Sequence, residues 1–198
     1  MTSYIAHRVN TLEELSNTPQ QYGVELDLRP WNDKIIIHHD PFVKGEDFEE
    51  YLKSYEHGTM ILNIKSEGIE YHILNLLAQY DIKDYFFLDC SFPMIYKLSK
   101  EKETKIALRF SEFEGLDTLK EMEGKVSWVW VDCFSKLPVN IDTFNKIGKL
   151  GFKTCLVSPE LQGREHDIDE YKKSMKIEGI EFDAICTKVF NIPRWKSL

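Results

Sequence analysis

The sequence contains no pair of cysteines at C-x-x-C spacing. Its four, Cys90, Cys133, Cys155 and Cys186, stand singly, and none has a histidine beside it at zinc-finger distance. That argues against a zinc ribbon, a redox dithiol or a disulfide scaffold, and leaves reduced thiols in or near a core as the expectation. No apolar run approaches the roughly 20 residues needed to span a bilayer. Residues 1–8 lack the charged-then-apolar order of a secretion signal. A cytoplasmic protein without stable membrane insertion is therefore expected. No low-complexity stretch and no Pro/Gly/Ser-rich linker divides the 198 residues, which read as one domain, 1–198. Positive charge is in deficit, with 25 Lys plus Arg against 33 Asp plus Glu and a formal charge of −8. A general binder of nucleic acid or anionic membrane is not expected from that balance. The hydrophobic fraction, 42%, is enough for a packed core and too high for a disordered chain.

The pattern that is present is alternation. Short apolar, β-branched or aromatic runs occupy residues 4–6, 24–28, 35–37, 60–64, 85–88, 106–108, 126–131, 154–157 and 182–186. Between most of them lie stretches at helical period: 11–21, 48–55, 69–80, 94–102, 116–122, 141–150 and 168–175. Thr11 and Glu14 stand in capping-box register at the head of the first. Strand–helix alternation of this kind signals a parallel sheet. If residues 35–37 return from the second strand through a turn at Asn32-Asp33, eight principal strands remain. Eight is the count of a (β/α)8 TIM barrel, which at this length must have short loops. An open doubly wound sheet also places its site at strand C-termini, yet gives no reason for every strand to end in a polar or charged group, as these do.

Three of those strand ends carry chemistry together. Glu25 and Asp27 stand at i and i+2, so in a strand they share one face, about 6.5–7 Å apart along the backbone. Alone they read as solvated edge acids; buried, they need a cation or a basic neighbour. His7-Arg8 ends the first run, and His38-His39-Asp40 follows the third, so two imidazoles can meet the acidic pair, one to take a proton and one to give it. Arg8 and Lys65 can offset a phosphate's charge, Arg8 as a bidentate fork. His57, His72 and His166 read as structural. Trp128 and Trp130 share a strand face, and the acidic run at 46–50 reads as a solvated helix face.

The order His7-Arg8, Asn10-Thr11 opening a helix, Gly23-Val24-Glu25-Leu26-Asp27, then His39-Asp40 resembles the glycerophosphodiester phosphodiesterase family. Asn63-Ile64-Lys65 is similar to that family's E-x-K strand, Ser91-Phe92 to its S-F step, and the segment from Asp183 to Thr187 to its terminal D-G-I-x-T. The resemblance implies a TIM barrel that hydrolyses a glycerophosphodiester-type small molecule to an alcohol and a phosphomonoester. It implies His7 and His39 as acid and base, Arg8 and Lys65 as phosphate contacts, and Glu25, Asp27 and, more weakly, Asn63 as ligands of Mg²⁺ or Ca²⁺. Three positions depart from the pattern. Asn63 replaces a glutamate, which should weaken cation binding, with Asp89 and Asp132 as candidates to compensate. Val9 replaces a glycine and the loop before Asn10 is truncated; Lys188 stands where an Asp is usual. Two other outcomes are weighed: a non-catalytic barrel that binds a phosphorylated metabolite or a partner, and a lyase that releases a cyclic phosphate.

Overall fold

The computed structural model describes residues 1–197. The chain alternates strand and helix throughout and divides into two compact units, Ile5–Glu101 and Met1–Tyr4 with Lys102–Leu198. The expected βα alternation is therefore found along the chain, and its strands pair in parallel except around Lys34–Ile37, which is antiparallel to both of its neighbours.

The first unit is organised around one long strand. Its elements are the Ile5–Ala6 end of β1 (Ser3–Ala6), α1 (Leu12–Asn17), β2 (Gly23–Trp31), β3 (Lys34–Ile37), β4 (Glu46–Asp47), α2 (Phe48–Lys53), β5 (Met60–Ile64), α3 (Glu70–Gln79), β6 (Tyr85–Leu88) and α4 (Phe92–Lys100). β2 pairs along one edge with β5 from Val24 to Leu28, and β5 pairs in turn with β6. Its other edge is shared in succession by β1, at Gly23 and Val24, and by the antiparallel β3, from Leu28 to Trp31. Gly23 is required where β2 begins, because a Cβ there would lie 2.3 Å from the Thr59 carbonyl oxygen. The hairpin into β3 turns through Asn32 with φ +54°, a left-handed conformation that asparagine tolerates.

Local chemistry moves several boundaries from those the pattern suggests. α1 has the expected Thr11–Glu14 capping box but stops at Asn17, because Thr18 precedes Pro19 and is held extended. Glu46 and Asp47 are not on a helix face. They pair with Ile37 and Ile36 as β4, and Asp47 then accepts the amides of Glu49 and Glu50 as N-cap of α2. α4 starts at Phe92, capped by Ser91.

The second unit runs β7 (Ala107–Phe110), α5 (Leu116–Glu121), β8 (Trp128–Val131), α6 (Ile141–Lys149), β9 (Lys153–Val157), α7 (Ile168–Glu178), β10 (Ala184–Thr187) and α8 (Ile192–Lys196). Its strands pair in parallel in the order β7-β8-β9-β10. The Ser3 amide donates to the Asp183 carbonyl at 2.9 Å. Trp128 and Trp130 are buried, and Trp195 of α8 is fully buried with its indole N–H on Ser158 Oγ at 2.8 Å. All four cysteines are buried and none is in a disulfide. Among the described residues no helix is long and apolar enough to cross a membrane.

Candidate active site

The site is built on the face of β2 that carries Glu25 and Asp27, and His7, Arg8, His39, Asn63, Lys65 and Asp89 belong to the same unit, whereas Asp132, the other candidate to compensate for Asn63, does not. Both carboxylates are completely buried. The free edge of β2 between β1 and β3 is not left bare. The Glu25 carbonyl accepts the Val9 amide at 2.9 Å, and the Asp27 carbonyl accepts the His38 amide at 2.9 Å. Backbone pairing thus lays the His7–Val9 turn and the His38–His39 segment along the same edge as the acidic pair.

The turn after β1 serves Glu25 closely. Arg8 has φ +56°, and in that conformation its amide donates to Glu25 Oε2 at 2.8 Å. His7 Nε2 lies 3.7 Å from the same oxygen, and Arg8 Nε lies 3.7 Å from Asp27 Oδ2. Asn10, just before the N-cap of α1, embraces Asp27. Its side-chain amide donates to Oδ2 at 2.9 Å, and its carbonyl oxygen accepts the Asp27 amide at 3.0 Å. The truncated loop therefore ties the capping box to the acidic pair.

From the other edge, register sets Asn63 of β5 opposite Asp27. Its amide nitrogen donates to Glu25 Oε1 at 2.8 Å, and its own Oδ1 is buried without a hydrogen-bond donor. Lys65 Nζ is 3.3 Å from Asp27 Oδ1 and 3.8 Å from Asp89 Oδ2, so Asp89 does stand beside the site through Lys65. Asp27 Oδ1 has that ion pair but no hydrogen bond. Burial, reinforced by the charge of Asp27, pushes the Glu25 carboxyl up to about 7, against the pull of Asn63, the Arg8 amide and Lys65.

His39 is on the rim, about 42% exposed, with Nδ1 2.8 Å from Asp40 Oδ1. That contact can hold one ring nitrogen while Nε2 exchanges protons. Asp40 is held below the usual carboxylate range, first by its hydrogen bond with His39 and further by the charge of Arg8. Two supporting residues escaped the sequence reading. Asn10 stood inside a recognised helix-opening motif but received no role. Arg29 continues the 25, 27 series on one strand face, and that i+2 spacing was the available signal. Its guanidinium donates to the His39 carbonyl (3.0 and 2.8 Å) and to the Lys65 carbonyl (3.1 Å). Glu70, fully buried with Oε1 lacking a donor, had no sequence signal at all.

The donor chemistry suits a hard divalent cation: two carboxylates with incomplete positive compensation and the donorless Asn63 oxygen. Among the described residues, no group of three or more His, Cys, Asp or Glu is gathered at metal-holding geometry. Any such site thus rests on two acids and an amide. Asp132 is occupied within the second unit, where it accepts from Arg109 (2.6 Å), Gln162 and the Cys133 amide (both 2.9 Å).

No family model matches the sequence, and no curated protein matches it. Two crystal structures from Agrobacterium tumefaciens strain C58 are similar in fold. One is a glycerophosphodiester phosphodiesterase, at TM-score 0.68 and 15% identity over 96% of this chain and 98% of that one. The other is provisionally named a glycerophosphoryl diester phosphodiesterase, at TM-score 0.66 and 14% identity over 94% and 93%. This chain shares their fold.

Proposed function

We propose that the chain is a divergent glycerophosphodiester phosphodiesterase, a single domain closed as a (β/α)8 barrel, that hydrolyses a small glycerophosphodiester-type substrate to an alcohol and a phosphomonoester. The observation that carries this reading is the fully buried Glu25–Asp27 pair, flanked by His7, Arg8 and Lys65, with Asp27 and Asn63 oxygens left without hydrogen-bond donors. Buried acids that serve only the fold are normally satisfied.

Glu25, Asp27 and Asn63 would hold Mg²⁺ or Ca²⁺. When bound, that cation polarises the phosphoryl oxygens and offsets their charge. Arg8, 44% exposed, and Lys65 provide the fixed positive charge that receives the phosphodiester. His7, against Glu25, and His39, fixed by Asp40, are the acid/base pair: one takes the proton of the attacking water and the other protonates the leaving alkoxide. Asn10 and the Arg8 amide orient the two carboxylates and keep them from swinging apart.

Phosphorus NMR of the protein with a panel of glycerophosphodiesters, with Mg²⁺ or Ca²⁺ and again with chelator, tests this directly. Conversion to linear phosphomonoester only with the cation is expected, and both His7→Ala and His39→Ala should abolish it while leaving the fold intact. More than about a tenth of the wild-type rate in both variants would remove the acid/base assignment. A cyclic phosphate as product would identify a lyase. Asn63, neutral where the family carries an acid, favours one second reading, a barrel that binds a phosphorylated metabolite without turnover. Binding of glycerol phosphate with no conversion at any cation concentration would establish it.

A further inference from the structure

The geometry points to Arg29 as a positioning residue that couples His39 to Lys65, an assignment that rests on the reading of those two as acid/base group and phosphate contact. Arg29 is the third member of the same-face series on β2, half-buried beyond Asp27. It does not reach toward either carboxylate. Its Nε and Nη2 both donate to the His39 carbonyl, at 3.0 and 2.8 Å, and Nη1 donates to the Lys65 carbonyl at 3.1 Å. One planar fork therefore spans two segments that leave β2 on opposite edges, the segment after β3 and the segment after β5.

The consequence follows from what otherwise holds those segments. β3 ends at Ile37 and β5 at Ile64, so the carbonyls of His39 and Lys65 lie past the last paired residues of their strands. The His39 side chain is about 42% exposed, and its ring is paired with the neighbouring Asp40, which travels with it. The His38 amide on the Asp27 carbonyl (2.9 Å) and the Lys65 amide on the Leu28 carbonyl (3.0 Å) bring both segments to β2. Arg29 adds the side-chain tie that holds the next carbonyls, those of His39 and Lys65, to the same strand. Both residues are only partly buried, and water can replace the guanidinium as donor when it is removed. Loss of Arg29 should therefore cost position more than folding. A displacement of about 1 Å in a reacting group is enough to cost on the order of 100-fold in rate.

The test is kinetic, with an arm independent of turnover. In Arg29→Ala, kcat with a glycerophosphodiester substrate should fall on the order of 100-fold, with a native unfolding transition. In a His39→Ala background the same change should lower whatever rate remains by much less than it lowers the wild-type rate, because only the Lys65 arm is left to position. Arg29→Lys keeps the charge but lacks the fork, and should remain within about threefold of Arg29→Ala. Guanidinium ion added to Arg29→Ala below denaturing concentration should restore part of the rate, which a general loss of stability would not allow. Hydrogen exchange at the Asp40 and Ser66 amides, next to the two held carbonyls, should quicken in Arg29→Ala. Full additivity with His39→Ala, wild-type activity in Arg29→Lys, or unchanged exchange at both amides would overturn the assignment. If the wild type turns over no phosphodiester, the functional reading fails by that result, and the exchange measurement still decides whether Arg29 holds the two segments.

Discussion

The two units end their strands in the same kinds of residue and treat them in opposite ways. In the second unit each carboxylate at a strand end is fully engaged. Asp132 accepts from Arg109, Gln162 and its neighbour's amide. Glu160 accepts from the hydroxyls of Ser158 and Thr187 and from the Lys188 amide, and Glu112 gathers three amides and a hydroxyl from residues 134–136. These acids staple successive loops together. In the first unit Asp27, Asn63 and Glu70 each keep a buried oxygen without a donor, whereas the second unit's two such atoms, on Arg164 and Asn191, are both nitrogens. Strand-end polarity is thus a property of the architecture. Among the described residues, bare buried acceptor oxygens are confined to the first unit, and Asp27 and Asn63 carry two of the three.

Removing a carboxylate should break that contrast most sharply in the first unit. Asp27→Ala is expected to lower turnover about 1000-fold and to abolish Mg²⁺ or Ca²⁺ binding in titration calorimetry. An Asp27→Ala protein that retained cation-dependent turnover would erase the distinction.

The next largest effect is in pH dependence, where the two units should show opposite signs. Glu25, raised from 4.5 to about 7 chiefly by burial, keeps in the folded state a proton that the unfolded chain releases. Its contribution is complete below about pH 4.5 and is lost as pH rises through 7, a fall of about 3 kcal/mol measurable by urea unfolding. Glu25→Gln should flatten that slope, and cation affinity should weaken below pH 7 as the proton competes. Glu112 behaves inversely. Burial pushes it up, but the amides of Ser135 and Lys136 prevail and hold it down at about 2. Its stabilisation is present above pH 4.5 and lost as pH falls toward 2, and Glu112→Gln should remove that acid limb.

Asp132→Ala should cost about 2 kcal/mol in thermal unfolding by stripping Arg109 and Gln162 of their acceptor, with cation affinity unchanged. The smallest effect is expected from Asn63→Glu. A third acid in place of the donorless amide oxygen should strengthen cation binding about tenfold, read by calorimetry, and lower stability without cation as a third buried charge joins Glu25 and Asp27.

Much of this was readable from the residues, because period and strand-end chemistry are local properties. The i, i+2 carboxylates, the His-Arg pair after the first strand and the Thr11 capping box needed nothing beyond spacing. The details set by long-range pairing were not. β4 is two residues long, too short to show alternation, and becomes a strand only because Ile36 and Ile37 lie beside it. Arg29 declares its role only once the carbonyls of His39 and Lys65, residues 10 and 36 positions away, are brought to it. That Asn63 turns its nitrogen to Glu25 and leaves its oxygen bare depends on an edge pairing that no run of residues encodes by itself. The place of Trp195 has no signal in the sequence either, since the five residues of α8 are too few to show a period.

That indole also decides what light can report about this molecule. Three of the four tryptophans, Trp128, Trp130 and Trp195, are buried in the second unit, and Trp31, at the far end of β2, is the sole tryptophan of the unit that holds the acidic pair. Intrinsic emission is therefore weighted toward one half of the chain. A fluorescence melt follows chiefly residues 102–197, and Trp31 is the intrinsic reporter that shares a unit with Glu25 and Asp27.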